Sequence, residues 1–90
     1  MKYRARDSLV VIPLDEGSMA VYDPLSGDTH FFEGTSYSIV KLVLDSETGI
    51  ELDSLVSLLV EEYSASEEEI REDVVPYLQL LIDKKVIDSI

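Results

Sequence analysis

The chain has 90 residues, 46% of them apolar, no cysteine and a formal net charge of −12. That length supports one domain with a thin core, and the lack of thiols excludes a disulfide framework or a thiolate metal site. So acidic a surface repels phosphate backbones and anionic lipid, which argues against nucleic acid and membrane as partners; the charge either serves solubility alone or favours a basic peptide or protein partner.

The start, "MKYRARDS", holds three of the seven basic residues but lacks the apolar core of a secretory signal. No apolar run approaches the ~20 residues that cross a bilayer. A soluble cytoplasmic protein is expected. Next, "LVVIPL" (9–14) is β-branched and apolar and reads as a strand, with Pro13 better suited to an edge than to a sheet centre. "MAVYD" (19–23) and "DTHFF" (28–32) read as two further strands. Between them "DPLSGD" offers Pro24 to fix φ and Gly27 to supply a positive φ, the chemistry of a hairpin turn.

Helical spacing then takes over. "GTSYSIVKLVL" predicts a helix over 36–44, started by a Thr35 or Ser36 cap. Leu52, Leu55, Val56, Leu59 and Tyr63 recur at three and four residues, predicting a second helix over 52–63. Ser66 and Glu69 form a capping box that opens a third over 67–84, with Ile70, Val74, Tyr77, Leu78 and Leu81 on its main face. Pro76 lies inside that helix and is expected to bend it near Glu72, and "KKVIDSI" to end it with cations and an apolar tail. Residues 1–90 thus read as one α+β domain of winged-helix type, a three-stranded antiparallel sheet followed by three helices that cover it.

The chemistry points away from catalysis. His30 is the lone histidine; Asp28 shares its strand face, but no second histidine or nucleophile elbow accompanies them. "EEEIRED" lacks the alternating oxygen ligands and central glycine of a calcium loop and reads as a solvated helix start, so no metal and no cofactor are expected. The third helix carries Glu67, Glu68, Glu69, Glu72 and Asp73 where a DNA reader needs Lys, Arg, Asn or Gln. What remains is a sheet edge beside a helix groove, an arrangement that takes extended peptides.

The motif "VYDPLSGDTHFF", followed by "SYSIVKLVL", "ELDSLVSLLVEEY" and a last helix ending "LLIDKKVIDS", resembles the PqqD family over about Leu9 to Asp88. Within it, "YDPLSGDTH" is similar to the branch of peptide chaperones found in HPr-rel-A systems. The chain departs from its relatives at "KKVID", where many carry a glycine before the final apolar pair. The resemblance implies a non-catalytic recognition element for ribosomally made, modified peptides. Its precursor's leader segment adds as a strand against the third strand, fills a groove beside the third helix and is presented to a modifying enzyme. An HPr-kinase-like protein is the implied neighbour.

Laid on the sequence, this makes Asp28, Thr29, His30, Phe31 and Phe32 the pairing edge. Arg71, Val75 and Leu78, four and three residues apart, form a stripe that could look onto the groove, where Arg71 either meets an acidic leader residue or simply pairs with Glu67 on its own helix. A peptide added this way, with two or three apolar anchors, is expected to bind with micromolar to sub-micromolar affinity once its ordering cost is met. The alternative is an acidic interaction or regulatory subunit that docks a kinase-like enzyme. A homodimer is also open, because an unfilled strand edge can pair with a second copy.

Overall fold

A computed structural model describes all residues, Met1 to Ile90. Strands β2 (Val10–Asp15), β3 (Ser18–Asp23) and β4 (Asp28–Glu33) form the antiparallel meander in the order β2-β3-β4. Helices α1 (Gly34–Leu44), α2 (Leu52–Tyr63) and α3 (Glu67–Asp83) follow, so the α+β fold of a three-stranded sheet and three helices is present.

A second sheet goes beyond the sequence reading. Strand β1 (Lys2–Ala5) lies between β5 (Ile50–Glu51) and β6 (Ile87–Ser89), antiparallel to both, with Tyr3 opposite Ile50 on one side and Ser89 on the other. The segment expected to end the helix with cations and an apolar tail carries a strand: α3 stops at Asp83, Lys85 takes a positive φ of 63°, and the chain turns back along β1. Arg6 donates to Asp88 at 3.1 Å across the same pair. This sheet ties the two ends of the chain together.

Period-two alternation sets which side of the meander is buried. Met19, Val21 and Phe32 point to the helices and are buried, and Asp28, His30 and Phe32 share that face of β4. Opposite them, Val10, Ile12, Tyr22 and Phe31 share the outer face and are exposed. The core joins Met19, Val21 and Phe32 to Val40 and Val43 of α1, Leu55, Val56 and Leu59 of α2, and Val74, Leu78 and Leu81 of α3. Tyr3 and Ile87 of the second sheet extend it. Each such side chain contributes about 1.5–3 kcal/mol when fully removed from water.

Local chemistry sets the element ends. The β3–β4 turn is held by Asp23, buried at 6% exposure, whose carboxylate accepts from the Leu25 amide at 3.0 Å and the Ser26 hydroxyl at 3.1 Å. Gly27, at φ 80°, lets its amide return to the Asp23 carbonyl at 2.8 Å. Helix α1 begins earlier than the Thr35 or Ser36 cap suggests: Glu33 is the extended cap residue, and the Ser36 hydroxyl donates to its carbonyl at 2.8 Å. At α3 the Ser66 hydroxyl accepts from the Glu69 amide as the motif implies, and the helix runs on through Pro76 without a break. Pro13 sits on edge strand β2, next to the register shift between Pro13 and Asp15.

Candidate functional site

Strand β4 pairs with β3 along one side only; its other rim of amides and carbonyls has no strand against it. Two cavities separate β4 and the start of α1 from α3. At one end of the cleft, Asp28, Thr29 and His30 face Asp83, Lys84 and Lys85 across a polar cavity of about 500 Å³. At the other, the first turn of α1 and Ile39 face Asp73 and Tyr77 across a smaller cavity of about 220 Å³. Asp73, Tyr77, Leu80 and Lys84 recur at four, three and four residues, so they form the stripe of α3 that borders the cleft. Leu80 is 44% exposed there.

The residues expected from sequence divide between three places. Asp28, His30 and Phe32 share the cleft side of β4: Phe32 is buried, and the His30 ring stacks on it with centroids 6.3 Å apart and planes 23° from parallel. Phe31, 73% exposed, lies on the outer sheet face, which Thr29 shares by register.

Arg71, Val75 and Leu78 do not line the cleft. Arg71 reaches α2, where its guanidinium donates to the Asp53 carboxylate, and it lies 3.5 Å from Glu67 on its own helix. That partner raises the Arg71 pKa and holds Asp53 below the usual carboxylate range. Val75 follows Arg71 by one turn and shares its side of α3. Leu78 is 1% exposed and belongs to the core. The spacing that linked these residues is real, but it bridges the core face and the α2 side. The stripe facing β4 was missed because it mixes an acid, a tyrosine, a leucine and a lysine, so no apolar periodicity marks it.

Burial pushes the Tyr77 phenol above its ordinary pKa, offset in part by the Ser36 hydroxyl, so the ring stays neutral at the cleft wall. Hydrogen bonds from the Leu25 amide and the Ser26 hydroxyl outweigh burial and lower the Asp23 pKa, which commits that carboxylate to the turn. No cluster of three or more His, Cys, Asp or Glu could hold a metal ion, and no helix is long and apolar enough to cross a membrane.

An unpaired strand edge beside a helix-walled cleft defines a class of small α+β peptide-recognition domains. The family model described as coenzyme PQQ synthesis protein D (PqqD) matches residues 18–87, which take in β3, β4, β5, all three helices and the first residue of β6, and the chain belongs to that family. Among solved structures, TbiB1 in complex with the TbiA(beta) leader peptide is similar at a TM-score of 0.82 and 17% sequence identity. The match covers 97% of this chain and 96% of that one, and it establishes a shared fold. A search of curated protein sequences finds no match.

Proposed function

We propose that the protein is a non-catalytic peptide chaperone that binds the leader segment of a ribosomally made precursor and presents it to a modifying enzyme. The leader lies along β4 as a fourth strand of the meander, and its alternate side chains enter the cleft against α3. The observation that carries this reading is the unpaired β4 rim directly beside the open cleft. Family membership supports it, as does a fold shared with TbiB1, a protein seen with a leader peptide.

Backbone hydrogen bonds along Asp28–Glu33 supply affinity with little demand on sequence, and the cleft supplies selectivity. His30 and Phe32 wall the cleft side of the incoming strand, while Thr29 and Phe31 flank it on the outer face. Tyr77, Leu80 and Lys84 take the role the sequence suggested for Arg71, Val75 and Leu78. The "YDPLSGDTH" segment resembles the HPr-rel-A branch, which makes an HPr-kinase-like protein the enzyme to test as its partner.

The experiment is a calorimetric titration with the leader half of the precursor peptide encoded nearest to the protein. Binding in the micromolar to sub-micromolar range, abolished by methylating alternate amides of the peptide backbone, is the expected result. Binding that is indifferent to amide methylation on either register would remove strand addition.

A further inference from the structure

The smaller cavity, between α1 and α3, has an unusual lining for a peptide-anchor pocket. Its floor is Ile39, 2% exposed, and one wall is the neutral ring of Tyr77. Its mouth carries the Asp73 carboxylate, together with the Thr35 and Ser36 side chains. At about 220 Å³ it accepts one side chain and nothing larger.

The charge at this end of the cleft has a definite sign. Asp73, which lines the cavity, makes no ion pair, and neither does Glu69, one turn before it on the same stripe of α3. The cation of this part of α3, Arg71, is committed elsewhere, to Asp53 on α2. The amino end of α1 opposes this with roughly half a positive charge, which the two carboxylates of the α3 stripe exceed. At the far end of the cleft Lys84 and Lys85 stand among Asp23, Asp28 and Asp83, so no sign dominates there. An apolar floor under an anionic mouth fits a long side chain with an aliphatic stem and a cationic tip, and the Tyr77 ring adds a face that attracts a cation.

We infer that this cavity reads a lysine or arginine of the leader peptide, with its stem against Ile39 and Tyr77 and its charge at Asp73. The inference rests on the peptide-binding reading above and names the residue class that selects the substrate. The basic residue is the one that reaches the α1 end of the β4 rim, so it has a fixed place in the bound segment.

The test uses random peptides displayed on phage, long enough to span β4 and the first turn of α1, selected against the wild-type protein and against Asp73→Lys. Wild type is expected to enrich peptides with Lys or Arg at one fixed position, and Asp73→Lys to enrich Asp or Glu there. Identical selections by the two proteins, or an uncharged residue chosen by wild type, overturn the inference and leave strand addition standing. Failure of the wild-type protein to enrich any peptide overturns both.

As Asp73 is exposed, the milder Asp73→Asn variant guards against misfolding. A wild-type-selected peptide should bind this variant about 3- to 10-fold more weakly, and replacement of the peptide's basic residue by norleucine should cost a similar factor. Combining the two changes should add little further loss, as expected when both remove one contact. Fully multiplicative losses would assign the two groups to separate contacts.

Discussion

Arg71, on the second turn of α3, is tied to Asp53 on the first turn of α2. The pair fastens the two helices on the side away from β4, so Arg71 serves packing. Arg71→Ala should lower thermal stability modestly and change peptide affinity by no more than about twofold, the behaviour of a side chain outside the contact surface. Parallel thermal melts and peptide titrations check this. A large affinity loss without a stability change would return Arg71 to the groove.

Leu80 should behave in the opposite way. It stands 44% exposed between Tyr77 and Lys84 on the cleft stripe and becomes covered when a strand fills the cleft. Leu80→Ala should cost about 1–1.5 kcal/mol of binding, roughly five- to tenfold in Kd, while leaving the melting temperature nearly unchanged. Fluorescence anisotropy of a labelled peptide reads the first effect and circular dichroism the second.

Acid should loosen the β3–β4 turn. The folded pKa of Asp23 is lowered chiefly by the Leu25 amide, against a reference of 3.8, so the folded state binds that proton less readily than the unfolded chain does. The resulting stability is fully present above about pH 4 and is lost as pH falls through the lowered folded value. Asp23→Asn removes this titration. Its stability should therefore fall less steeply below pH 4 than that of wild type, measured by urea unfolding across pH.

Gly49 tests the second sheet. Its φ is 102°, and an added Cβ would lie 3.0 Å from the Ile90 side chain and 3.4 Å from the Tyr3 carbonyl. Gly49→Ala should destabilise the fold by about 1–3 kcal/mol, visible as a drop in melting temperature. Peptide affinity should persist at temperatures where the variant stays folded, because β4 is not part of that sheet.

These four residues also show what the sequence made legible. Strands β2 to β4 and the three helices were readable because their apolar spacing repeats over six residues or more, and "DPLSGD" marked the turn that aligns β4. The β1–β5–β6 sheet was hidden because its strands are four, two and three residues long. Its pairings join residue 3 to residues 50 and 89, contacts that local periodicity does not encode. At the site, the rim of β4 followed from strand order, whereas the cleft stripe of α3 did not. Leu78 and Tyr77 are neighbours in sequence with similar apolar character, and only the packing of α1 and α2 decides that one enters the core while the other faces the cleft.

The central claim, strand addition on β4, is tested most directly by amide hydrogen exchange with and without a selected peptide. New protection should appear on alternate amides of Asp28–Glu33, those directed away from β3, with side-chain shifts at Tyr77, Leu80 and Lys84. Protection confined to β2, or shifts gathered at Arg71 and Val75 with the β4 amides still exchanging freely, would contradict it.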